Sequence, residues 1–96
     1  MSITDIESTP TFDRVIKKLH AKERALVNSE ISAIANNFLI GFEKKGDLAE
    51  VFVHKFKINA QEFLLAYRVK PDKVAPVTLE LISIGSHENF YQKLKR

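Results

Sequence analysis

The sequence contains no cysteine, which excludes a disulfide framework, a thiolate zinc site and a cysteine nucleophile. Its three glycines, Gly41, Gly46 and Gly85, form neither a phosphate-binding loop nor a dinucleotide fingerprint. No Gly-x-Ser-x-Gly elbow is present. The three histidines, His20, His54 and His87, show no helical or strand pairing, so no metal site is expected. The longest apolar stretches, such as Asn37 to Phe42 and Phe63 to Tyr67, fall far short of the roughly 20 residues of a membrane helix. The opening Met1-Ser2-Ile3-Thr4-Asp5 lacks the basic start and apolar run of a signal peptide. A cytoplasmic protein with no membrane partner is the expectation.

What is present is ordinary globular material. The 96 residues are 45% hydrophobic and 28% charged, which suits one domain over 1–96 with a single core. Fifteen Lys and Arg against 12 Asp and Glu give a net charge of +3. The tilt is weak, and its distribution matters more. Lys93, Lys95 and Arg96 close the chain, and a second basic group holds Lys44, Lys45, Lys55, Lys57, Arg68, Lys70 and Lys73. A polyanion would be held by these if folding brings them onto one face; otherwise they are a solvated surface.

Periodicity divides the chain into helices followed by strands. Thr9-Pro10 reads as an N-cap followed by proline at the first helical position. Phe12, Val15, Ile16 and Leu19 then make one apolar stripe that ends near His20, where the helix dipole would favour a cation. Val27, Ile31, Ile34 and Phe38 make a second stripe over about 22–37. Leu39 to Asp47, with two glycines around Glu43-Lys44-Lys45, reads as a loop. Beyond it, Val51 to Lys57, Glu62 to Val69 and Val77 to Ile84 alternate as strands with short connections. Gly85-Ser86 is expected to break the third strand, with Ser86 capping a last helix to about Leu94 through Phe90. Residues 3–8 give only a poor strand signal. The fold class is α+β: two N-terminal helices packed on a twisted antiparallel sheet of three to four strands, with a short C-terminal helix.

These absences leave binding or acid–base chemistry on a charged substrate. His87 follows Gly-Ser at a strand end, outside the expected core, and imidazole exchanges protons near neutral pH. Tyr91 lies one helical turn further on. The plainer alternative makes His87 a helix-start residue and Tyr91 a packing aromatic. His54 shares its strand face with Phe52 and Phe56, as a partly buried packing histidine would. Lys55 and Lys57 share the other face and, with Lys44 and Lys45, could gather around a phosphate backbone. Tyr67 aligns with Leu65 and Val69, which favours the core. Glu50 and Glu62 are the carboxylates near these strands, and no spacing singles either out.

Two helices and three strands in this length resemble the RelE/ParE superfamily of type II toxin–antitoxin toxins. The local marks are Phe12 with Lys17-Lys18-Leu19, Lys44-Lys45-Gly46-Asp47-Leu48, Leu64-Leu65-Ala66-Tyr67 and the close Ile84-Gly85-Ser86-His87-Glu88-Asn89-Phe90-Tyr91. That close is similar to the Gly-x-His-x-x-x-aromatic ending of YafQ-like members. The resemblance implies either of two activities. RelE-type toxins enter the ribosomal A site and cut mRNA without a metal or cofactor, the RNA's own 2′-hydroxyl attacking the neighbouring phosphate. ParE-type toxins share the fold and block DNA gyrase without a nuclease centre. A third, detoxified kind of member only binds its antitoxin.

The resemblance also implies site residues. His87 and Tyr91 match the histidine and the aromatic of the YafQ-like ending, Tyr91 either positioning the substrate or stacking on a base. YafQ-like members carry a further histidine in the middle strands, and His54 or Lys57 falls near it. RelE itself carries an arginine- and lysine-rich centre that Lys55, Lys57 and Arg68 partly reproduce, with Lys44 and Lys45 beside them. The implied partners are a cognate antitoxin, the ribosome with its mRNA or else gyrase, and operator DNA only through the antitoxin.

Overall fold

Each helix begins where side chains can take up its unpaired backbone N–H groups. The computed structural model describes residues 3–44 and 50–87. Helix α1 (Pro10–Lys18) starts at Thr9, whose Oγ1 accepts from the Phe12 N–H at 3.2 Å and donates to the Ile82 carbonyl at 2.6 Å. Helix α2 (Ala21–Asn36) follows after two residues. There Glu23 reaches back to accept the His20 N–H at 2.9 Å, so His20 opens the second helix and does not sit in the last turn of the first. Both apolar stripes face inward, with Phe12, Val27 and Ile34 buried and Val15, Ile16, Leu19, Ile31 and Phe38 packed beside them. Among the described residues no helix is long and apolar enough to cross a membrane.

The sheet corrects the expected architecture. Among the described residues it has five strands, not three to four, and it is mixed. Strands β1 (Asp5–Ser8), β2 (Phe42–Glu43), β3 (Phe52–Ile58), β4 (Gln61–Lys70) and β5 (Thr78–Ser86) lie in the order β1-β5-β4-β3-β2. β1 runs parallel to β5, while β5, β4, β3 and β2 pair antiparallel. All four residues of β1 are exposed, so no buried alternation announced it. The stretch expected to be a loop after residue 38 holds a 3-10 turn (Phe38–Ile40) and then β2, two residues paired to Val53 and Phe52. β5 also continues through Gly85 and Ser86, because Leu64 and Phe63 of β4 supply their backbone partners. The expected last helix, with Phe90, Tyr91 and Leu94, lies beyond the described residues, as does Lys45.

Two features set which side chains share a face. β3 and β4 are joined by the two-residue turn Asn59-Ala60, both at positive φ, so Lys57 pairs with Glu62 and Lys55 with Leu64. In β5 the pairing steps from Tyr67↔Leu81 to Ala66↔Ser83, leaving Ile82 as the extra residue of a bulge. Simple alternation would point Ile84 away from the helices; the bulge turns it back into the core. The helix-side core joins Phe52, Ile58, Leu65, Tyr67, Val69, Leu79, Leu81 and Ile84 to the two helices. A smaller cluster, Val51, Val53, Leu64 and Ala66 with Ile82, occupies the sheet's second face.

Tyr67 ties the 3-10 turn to the sheet. It is fully buried, stacks on Phe52 at 5.5 Å, donates its hydroxyl to the Phe38 carbonyl at 2.5 Å and accepts the Gly41 N–H at 3.1 Å. A Cβ at position 41 would overlap that hydroxyl, which is why glycine stands there. Burial pushes the phenol up to about 12, and the Gly41 N–H offsets this only in part.

Candidate functional site

The second face is where the charged candidates collect, and strand register decides which of them meet. Lys55 and Lys57 alternate with the helix-side residues Phe56 and Ile58, so both project from the second face, and both are exposed. Two residues of strand separate their Cα atoms by about 7 Å. Opposite Lys57 stands Glu62, and on the far side of Glu62 stands His87, its Nε2 4.0 Å from Glu62 Oε1. Lys57, Glu62 and His87 thus form one row across β3, β4 and the end of β5. The next row runs Lys55, Leu64, Gly85. Among the described residues, and apart from its chain neighbours, no atom lies within 4 Å of where a Cβ would stand on Gly85.

Chemically, the row brings together a cation, a carboxylate and an imidazole, with a second cation one row away. The His87 and Glu62 side chains are both about half exposed, so their contact adds little stability. Its significance is positional: an acceptor and a proton-exchanging ring meet beside two lysines. Among the described residues no group of three or more His, Asp or Glu is placed to hold a metal ion.

The remaining candidates are placed elsewhere. His54 is on the helix side, with Nε2 2.6 Å from Glu30 Oε1 of α2 and its ring stacked on Phe56. Its side chain is only 15% exposed, and the whole sheet separates it from His87. The structure does not bring the two histidines to one substrate. Arg68 is on the second face, but four residues along β4 from Leu64, roughly 13 Å away. It pairs with Glu80 at 3.4 Å, and Lys70 bridges Glu80 and Glu7 beside it. Lys44 continues β2, its N–H donating to the Val51 carbonyl at 2.7 Å, at the same far end as Arg68. Tyr91 and Lys45 fall outside the described residues. Glu62 is the residue that spacing alone did not single out. The two-residue turn is the missing signal, since it fixes Glu62 opposite Lys57.

The comparisons agree with this architecture. A family model described as ParE-like toxin of type II bacterial toxin-antitoxin system matches residues 6–95. No curated protein matches the chain. Among solved structures, the toxin–antitoxin complex RelBE2 of Mycobacterium tuberculosis contains a chain similar at TM-score 0.72 and 18% identity, over 91% of this chain and 100% of that one. A mutant of the E. coli toxin RelE in the free state is similar at TM-score 0.72 and 17% identity, over 99% of this chain and 94% of that one. The intact E. coli RelBE toxin–antitoxin complex gives TM-score 0.61 and 17% identity, over 88% of this chain and 96% of that one. At these identities the solved structures establish the shared fold.

Proposed function

The chain belongs to the ParE-like toxin family of type II bacterial toxin–antitoxin systems, and from that premise we propose that it halts translation by cutting mRNA on the ribosome. The observation that carries this reading is the row Lys57, Glu62, His87 beside Lys55 on the sheet face away from the helices. Strand cleavage by RNA's own 2′-hydroxyl needs three services. A base takes the 2′ proton as the 2′-oxygen bonds to phosphorus; an acid protonates the 5′-oxygen as its bond to phosphorus breaks; cations stabilise the crowded phosphorane. An ionised carboxylate only accepts, so Glu62 suits the first task and protonated His87 the second. Lys55 and Lys57 suit the third, as fixed charges facing the phosphate. The products are a 2′,3′-cyclic phosphate and a 5′-hydroxyl, and the protons balance without a co-reactant.

In this reading the partners are the ribosome with its mRNA and a cognate antitoxin, as in the two antitoxin complexes of similar fold, with operator DNA reached only through the antitoxin. His54, on the other face, takes no part, and Arg68 with its Glu80 partner serves at most as an outlying contact. Tyr91 remains the candidate to stack on or position the substrate.

The family model's own description, ParE-like, favours a second reading: a gyrase inhibitor without chemistry. One experiment separates them. The wild type and His87→Ala are induced in a bacterium, and mRNA 5′ ends are mapped within minutes. In-frame cuts in translated regions, reduced at least tenfold in His87→Ala (about 1.4 kcal/mol of barrier), are the expected result. Growth arrest without cuts, together with inhibited supercoiling in vitro, transfers the function to gyrase. A His87→Ala protein that cuts as well as wild type removes His87 from the chemistry.

A further inference from the structure

A large aromatic side chain stands on the same face as the lysines. Phe42 is 68% exposed, among the most exposed of the large hydrophobic residues described. It does not belong to either buried cluster. Its Cα partner is Val53, a second-face residue, so Phe42 presents its ring to that face from the edge strand β2. Lys55 is the next residue of β3 on that face. The two are diagonal neighbours, about 7–8 Å apart at Cα and within reach of long and aromatic side chains. Along the face the order is therefore an exposed aromatic ring, then Lys55, then Lys57 with Glu62 and His87.

We propose that Phe42 is a stacking platform for a base of single-stranded RNA, whose adjoining phosphates are held by Lys55 and Lys57. The proposal rests on the RNA-cleaving reading and assigns it a base-binding subsite. An aromatic ring followed by regularly spaced cations is the arrangement that binds single strands with little sequence preference, since every base has a π-face. A duplex is excluded from this subsite, because its bases are already stacked on each other. The charge of the neighbouring lysines favours a polyanion here over an apolar peptide.

The chain contains no tryptophan, so Phe42→Trp introduces a single indole reporter at the platform. The full-length protein is titrated with a short oligouridylate and with the same oligomer lacking bases. Expected are quenching of the indole by the oligouridylate, no quenching by the abasic oligomer, and an affinity at least about fivefold weaker in Phe42→Ala. Lys57→Ala should weaken binding while leaving the quenching at saturation. If wild type and Phe42→Ala bind the oligouridylate equally and the indole is not quenched, the platform is refuted while the RNA reading stands. A wild type that binds no oligouridylate refutes both. A Phe42→Ala protein that binds RNA normally but loses its hold on the antitoxin assigns this ring to the antitoxin and also refutes the platform. Because Phe42 is exposed, its replacement leaves the core intact.

Discussion

Tyr67 carries the clearest single-residue consequence. Its ring fills the helix-side core, and its hydroxyl satisfies both a carbonyl and an N–H of the segment leading to β2. Tyr67→Phe keeps the ring but strands both backbone groups, and unfolding in urea should report a loss of about 1–3 kcal/mol. The raised phenol adds a pH signature. A folded value of about 12 against an unfolded 10 means the folded state holds its proton more tightly. This contribution is intact below pH 10 and is lost as pH rises through about 12, with a slope of about −1.4 kcal/mol per pH unit. Stability measured between pH 9 and 12 should show that fall in wild type and lack it in Tyr67→Phe. An identical fall in both proteins would assign the alkaline transition to other groups.

At the scale of elements, Thr9 links α1 to the bulge in β5. Its side chain caps the helix and donates to the carbonyl of Ile82, the residue the ladder leaves over. Thr9→Ala removes both contacts and should lower stability by about 1–2 kcal/mol, whereas Thr9→Ser, which keeps the hydroxyl, should stay close to wild type; chemical denaturation of the two decides. The helix start was legible because Thr-Pro is a local signal, and the two apolar stripes were legible because each spans several turns. β1 was poorly legible, since Asp5-Ile6-Glu7-Ser8 buries nothing and owes its place to pairing with a strand far along the chain. The bulge was illegible because Leu81-Ile82-Ser83-Ile84 fits uniform alternation equally well. The same limit applied at the site. His87, Lys55 and Lys57 could be named from residue type, but the partner Glu62 and the distance of Arg68 and His54 depend on register and face, which the two-residue turn and the sheet order decide.

For the whole molecule, charge is arranged by face and end more than by sum. A net +3 is too small to bind a polyanion indiscriminately, and the Arg68 and Lys70 charges are offset by Glu80 and Glu7. In the proposed function, Lys55 and Lys57 at one end of the second face are the charges that meet phosphate. If each neutralises one phosphate of a single strand, log affinity should fall with log salt at a slope of roughly −1.4, reduced by about 0.7 in Lys57→Ala and unchanged in Arg68→Ala. Fluorescence anisotropy across a salt series reads this directly, and a slope that drops for Arg68→Ala would place the strand along the whole face. The parallel pairing of β1 with β5 acts on the molecule in time. Thr9 and Ile82 meet across 73 positions, so the sheet closes only through one of the chain's longest-range contacts. A ribosome making this protein therefore completes the sheet in a fixed order: the first strand gains its last partner at Leu81, the first helix its bulge partner at Ile82, and the row ending at His87 its third member only after Ser86.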